Sequence, residues 1–188
     1  MPDEIRELVG RSLAGDQSAM AALVERFRGQ VFGLCYRMLG HRQDAEDMAQ
    51  ESFVRAFRYL ANYDTAREFG PWLLAIAGNR CRSLPSTRGR RLMGTDEADQ
   101  VADPAPDGRA ARDLAEEIEL ALRELRPEYR QSFVLFHEQY MSYAEIAETL
   151  ECPVGTVKTW VRRARRELAD HLLRRGVVEE LPNAVRRV

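Results

Sequence analysis

The chain has 188 residues, of which 45% are hydrophobic and 31% charged, with a formal net charge of −2; that length suits one mid-sized soluble domain or two small ones. Its longest apolar run, Trp72 to Ala77, is far short of the roughly 20 residues of a membrane span, and the acidic start MPDEIRELVGR lacks the features of a signal peptide. The three cysteines (Cys35, Cys81, Cys152) and three histidines (His41, His137, His171) are scattered without ligand spacing, so the expectation is a cytoplasmic protein with no disulfide framework, metal centre or cofactor.

Strand signals are nearly absent and helical periodicity is almost continuous, which predicts an all-α fold. A first helix is expected over Pro2 to Ala14, stopped by Gly15-Asp16. Asp16 then caps a second through Ala19, Leu23 and Phe27, and a third runs from Gln30 to Leu39 and ends at Gly40. The fourth reaches from Asp44 to Leu60. It buries Ala45, Ala49, Phe53, Ala56 and Leu60 and turns Asp47, Gln50, Glu51, Arg55 and Arg58 outward. Its acids favour the helix dipole in any case, and Glu51 with Arg55 has the spacing of an ordinary i,i+4 pair. The segment NYDTAREFG reads as a loop. PWLLAIAGNRCRSL follows as a fifth helix opened by Pro71 and ended by Pro85. Tyr63 and Phe69 on that loop, beside Asn79 and the arginines after it, are candidates for holding unstacked bases.

Composition changes from Ser86 to Arg112, where Gly, Pro, Asp and Ala dominate and ADPAPDG is a poor helix former. Helicity resumes at Asp113. Two small helical domains on one tether are therefore expected: residues 1–94, an acidic linker over 95–112, a second domain over 113–176 and a tail over 177–188. Charge is segregated in the same way. Residues 80–91 carry +5, residues 153–175 carry +5 and residues 95–119 carry −7.

In the second domain SYAEIAETL and PVGTVKTWVRRARREL are separated only by Glu151 and Cys152. Ser142 and Glu145 form a capping-box pattern, Pro153 suits the first turn of the following helix, and Ile146, Ala147, Leu150 and Val157 can fill the crossing. At about 100° per residue Val157, Val161, Ala164 and Leu168 form an apolar stripe, with Trp160 at its boundary. The opposite face is cationic. A solvated face would read alike, but after a tight helix–turn–helix junction the pattern is that of a major-groove reader. Thr156, Lys158, Thr159 and Arg162 are then placed for base edges, and Arg163, Arg165 and Arg166 for phosphates.

The ordered series DAEDMAQESFVRAF, FGPWLLAIAGNR, acidic linker and LRELRPEYRQSFVLFHEQYMSYAEIAETLECPVGTVKTWVRRARREL resembles the extracytoplasmic-function sigma factors of bacterial RNA polymerase, over about Leu8 to Leu172. The resemblance implies a non-enzymatic factor that binds core RNA polymerase and directs promoter-specific initiation. The first domain would be sigma domain 2, with Asp47, Gln50, Glu51 and Arg55 on the clamp helices of the β′ subunit. Tyr63, Phe69, Asn79, Arg80 and Arg82 would serve the −10 element, and the loop Asp64–Gly70 would receive an extruded base. The second would be sigma domain 4, with Thr156, Lys158, Thr159, Arg162, Arg163 and Arg166 on the −35 element and further contact to the β flap. Promoter DNA and an anti-sigma factor are further implied partners, with no insertion into a membrane. Pro85 and Gly89 interrupt a stretch that is commonly helical in the family, and Trp160 stands where many members carry Arg. The competing readings are a stand-alone helix-turn-helix regulator binding an operator, which leaves the acidic helix unexplained, and an enzyme using Asp47 and Glu51, which lack a neighbouring His, Cys or Gly-rich loop.

Overall fold

The computed structural model describes residues 3–84 and 106–178, with side chains from 113 onward in the second segment. Pro85, Gly89, Arg88, Arg90, Arg91, most of the expected linker and nearly all of the expected tail lie outside the described residues. Helices account for the described fold: α1 (Asp3–Leu13), α2 (Gln17–Leu39), α3 (Arg42–Arg58), α4 (Phe69–Ser83), α5 (Pro106–Glu124), α6 (Pro127–His137), α7 (Tyr143–Thr149) and α8 (Val154–Arg174), with one 3₁₀ turn at Leu60–Asn62.

α2 is the pillar of the first unit. Asp16 caps it, accepting from the Ser18 and Ala19 amides at 2.8 and 3.2 Å, and Gly40 ends it at φ +70°, a left-handed conformation suited to glycine. The expected break near Gly29 does not occur, and α2 is a single helix of 23 residues. A glycine in a helix costs about 1 kcal/mol, whereas Leu23, Phe27, Val31, Leu34 and Met38 form one buried stripe across that position. Interrupting the helix would break the stripe. Around α2 pack α1, α3 and α4, and Ala45 and Ala56 of α3, both fully buried, allow close approach.

Three further boundaries differ from expectation. α3 starts at Arg42, where the His41 imidazole Nδ1 accepts from the Asp44 amide. α4 starts at Phe69, so Pro71 lies inside its first turn, where no intrahelical N–H bond is required of it. α5 starts at Pro106, seven residues before Asp113; a proline at the first helical position and an acid beside it are compatible with a helix N-terminus.

The second unit matches expectation at its junction. Ser142 and Glu145 form a reciprocal capping box, with bonds of 3.2 and 2.7 Å. Glu151 turns the chain at φ +51°. Pro153 is the cap residue of α8 rather than a member of its first turn. Val157, Val161, Ala164 and Leu168 are buried, and Trp160 packs at the border of two apolar clusters.

The two units also pack against each other. Val134, Leu135, Ile146, Val157 and Val161 join the same apolar cluster as Leu23, Leu34 and Leu73. At the rim the Tyr36 hydroxyl donates to Glu119 at 3.2 Å. Arg37 pairs with Glu119 at 3.3 Å and Glu138 at 2.9 Å, and Arg67 with Glu148 at 3.0 Å. Arg130 reaches from α6 to the Met38 carbonyl in the last turn of α2, a cation at a helix C-terminus. Burial pushes this guanidinium down to about 10.

Candidate functional site

α3 presents a surface of mixed charge, with its acids (Asp44, Glu46, Asp47, Glu51) in the first turns and Arg55 and Arg58 at its end. Its stripe of Ala45, Ala49, Phe53 and Ala56 faces the core, leaving Asp47, Gln50, Arg55 and Arg58 exposed and Glu51 half-buried. Glu51 does not pair with Arg55. Its carboxylate accepts from Arg80 of α4, and Arg55 lies over the Tyr59 ring at 5.7 Å. The α3 surface is thereby tied to the end of α4. Beside it Val54 and Tyr59 are 58% and 44% exposed, large apolar groups that the helical stripe excludes from the core. Their presence outside that stripe was the available sequence signal for them.

At the end of α4, Asn79 is exposed and its amide oxygen accepts from Arg82; Arg80 also donates to the Ser83 hydroxyl at 3.5 Å. Asn79, Arg80 and Arg82 therefore share one short, polar, cationic turn. Tyr63 and Phe69 do not stand beside them on an open loop. Both are buried, at 6% and 1% exposure. Phe69 packs on Phe27, Tyr63 and Trp72 with ring centroids 5.3, 5.7 and 5.6 Å away, and the Tyr63 hydroxyl donates to the Arg67 carbonyl at 2.6 Å. Burial, reinforced by Asp64 and Glu68, pushes this phenol up to about 12. These rings support the loop over Asp64–Gly70 from beneath, and in this arrangement their faces are not open to a stacked base.

α8 presents the cationic surface. Lys158, Arg162, Arg163 and Arg166 are exposed, and Thr156 and Thr159 are half-buried. The Thr159 hydroxyl donates to the Gly155 carbonyl at 2.9 Å, which leaves its oxygen able to accept. Aromatic groups of α6 and α7 underlie the cations. Lys158 Nζ is 6.0 Å from the Tyr143 ring centroid, the Arg163 guanidinium donates to the Tyr129 hydroxyl at 2.8 Å, and Arg165 lies 5.3 Å from the Phe136 centroid. Arg165 also donates to His137 Nε2 at 3.0 Å. Burial first, and then Arg165, holds the His137 pKa below its ordinary value, which favours the neutral ring that can accept. Arg166 is shared with Asp170 at 3.8 Å.

Among the described residues no group of His, Cys, Asp and Glu could hold a metal ion, and no helix is long and apolar enough to cross a membrane. Among the described residues, the surfaces that stand out are the mixed-charge outer face of α3, the cationic turn at the end of α4 and the cationic face of α8.

Residues 23–91 match the family model for sigma-70 region 2, and residues 115–168 that for sigma-70 region 4. The chain is 33% identical over 180 residues to the ECF RNA polymerase sigma factor SigW of Bacillus subtilis, covering 89% of this chain and 96% of that one. It is 32% identical to the RNA polymerase sigma-H factor of Pseudomonas aeruginosa, covering 87% and 91% of the two chains. Among solved structures it resembles CnrH in complex with the cytosolic domain of CnrY, at 29% identity and a TM-score of 0.69, over 90% of this chain and 97% of that one. A region 2 unit followed by a region 4 helix-turn-helix defines a sigma factor of RNA polymerase. Within that class the chain belongs to the extracytoplasmic-function family, the factors through which RNA polymerase acquires promoter specificity.

Proposed function

We propose that the outer face of α3 engages the clamp helices of the β′ subunit of core polymerase, that the turn carrying Asn79, Arg80 and Arg82 serves the −10 element, and that α8 reads the −35 element. The observation that carries this reading is the division of surfaces. An exposed helix of mixed charge, α3, and an exposed cationic helix, α8, sit on separate units, as a factor bridging a protein and DNA requires. Asp47, Gln50, Glu51 and Arg55 meet polymerase. Thr156, Lys158, Thr159 and Arg162 approach base edges, while Arg163 and Arg166 approach phosphates. The second unit also meets the β flap. The factor performs no catalysis of its own and works in the cytoplasm. An anti-sigma factor is a further partner, in keeping with the CnrY-bound state of the similar CnrH.

The test is assembly with bacterial core polymerase on a sizing column, followed by transcription of a genomic library. A stable complex that starts RNA at a discrete promoter set is expected. No complex, with the protein alone protecting an operator, would overturn the reading in favour of a stand-alone regulator. Within the complex, Asn79→Ala is expected to weaken promoter opening, read by permanganate reactivity, without weakening polymerase binding. Lys158→Ala is expected to flatten the ranking of single-base −35 variants.

A further inference from the structure

Tyr129, in the first turn of α6, is 4% exposed, and two arginines from different parts of the chain lie against its ring. Arg163 of α8 donates to the hydroxyl at 2.8 Å, and its guanidinium lies 6.0 Å from the ring centroid. Arg126, the residue that precedes α6, lies 5.5 Å from the same centroid. Both arginines are exposed. Hydrogen bonding from Arg163 first, with the nearby charge of Arg126 as a lesser influence, draws the phenol below its usual pKa. Glu167, one turn along α8, acts on Arg163 only as its weakest influence. Two like charges drawn to one ring repel each other by Coulomb's law, and an anion shared between them relieves that repulsion. A guanidinium has five N–H donors in a fixed fork, so a single bond to Tyr129 orients Arg163 and leaves most of its donors for another acceptor. Arg126 provides no side-chain cap, so the start of α6 is not closed by it either.

We propose that Arg126 and Arg163 form a clamp for one DNA backbone phosphate flanking the −35 element, with Tyr129 as the positioning residue that holds both guanidiniums in place. The clamp rests on the reading of α8 as the −35 helix and adds two residues, Arg126 and Tyr129, that lie outside α8. A phosphodiester fits because it carries a single negative charge and oxygens that can accept paired N–H bonds from both forks. The buried ring removes the rotameric freedom that an exposed arginine otherwise loses on binding.

The test uses the polymerase complex on a promoter recovered by genomic-library transcription, with single methylphosphonates replacing upstream phosphates in turn. Wild type is expected to lose about tenfold in affinity at one phosphate, the effect of one charge-assisted contact. Arg126→Ala and Arg163→Ala should each weaken binding to the unmodified duplex and become insensitive to that replacement. Tyr129→Phe keeps the buried ring and should blunt the same phosphate while leaving the ranking of −35 base variants unchanged, which a general loss of folding would not do. If Arg126→Ala and Tyr129→Phe keep the wild-type phosphate profile while Lys158→Ala alters −35 ranking, the clamp is refuted and the function stands. If Lys158→Ala is silent as well, the reading of α8 fails and the clamp falls with it.

Discussion

Phe69 decides how the loop after α3 is held. The residue is 1% exposed and touches three other aromatic rings, so Phe69→Ala should lower stability by about 3–5 kcal/mol, measured by urea unfolding. In sequence it sits in NYDTAREFG among turn-forming and charged residues, and nothing local marks it as core. Its burial depends on Phe27 of α2 and on Tyr63 of the preceding segment, with Trp72 of its own helix closing the cluster. The same limit applies to Tyr63. Glu151 is the opposite case, because its position in a short helix–turn–helix junction already signals the geometry glycine prefers. At φ +51° a side chain is strained, while glycine adds freedom to the unfolded chain. Glu151→Gly should therefore be stabilising by a net of about 0.5–1 kcal/mol, read from the same unfolding curve.

Among elements, α3, α7 and α8 were the most legible. The buried stripes of α3 and α8 repeat with helical period over enough turns to outweigh alternatives, and α7, too short for such a stripe, is marked by the Ser142–Glu145 box at its start. The end of α1 and the start of α2 were legible through Gly15 and Asp16, and this junction has a pH signature. The Asp16 carboxylate accepts from two helix amides and from Arg11 at 2.9 and 2.7 Å. Hydrogen bonds from Ser18 and then Arg11 hold its carboxyl well below the usual range. A carboxyl with a depressed folded-state pKa stabilises the fold above its unfolded pKa, and that contribution fades as pH falls through the folded value. Thermal unfolding of wild type should therefore drop below about pH 4, and Asp16→Ala should lower the midpoint at neutral pH while removing part of that acid decline. Gly29 and the 106–112 stretch misled for a shared reason. Glycine and proline were weighed as local punctuation, whereas the continuous burial along α2 and the position of Pro106 at the first turn of α5 decide their roles.

At the scale of the whole molecule, the packing of the two units was not legible, because it joins residues more than fifty positions apart through no repeating pattern. Gly78 of α4 and Gln131 of α6 mark its centre. A Cβ on Gly78 would lie 1.9 Å from the Gln131 side-chain nitrogen, so glycine is what lets α6 come this close. Gln131 is fully buried there, and neither polar atom of its carboxamide has a hydrogen-bond partner among the described residues. An unpartnered buried amide costs about 1–3 kcal/mol, and separating the units would hydrate it. The closed contact thus has an internal penalty that opening relieves. The proposed engagement of the −10 element by the first unit and the −35 element by the second favours opening too. Elements named −10 and −35 lie about 25 base pairs apart, roughly 85 Å at 3.4 Å each, whereas α7 of the second unit rests against α4 of the first. Two substitutions should move this balance in opposite directions. Gly78→Leu cannot fit beneath Gln131 and should open the units. Gln131→Leu removes the unpartnered amide at similar volume and should favour closure by about 1–3 kcal/mol. Small-angle scattering of the free protein reads both, with a larger radius of gyration expected for Gly78→Leu and a smaller or unchanged one for Gln131→Leu. The same radius for Gly78→Leu as for wild type would show that the contact at Gly78 does not hold the units together.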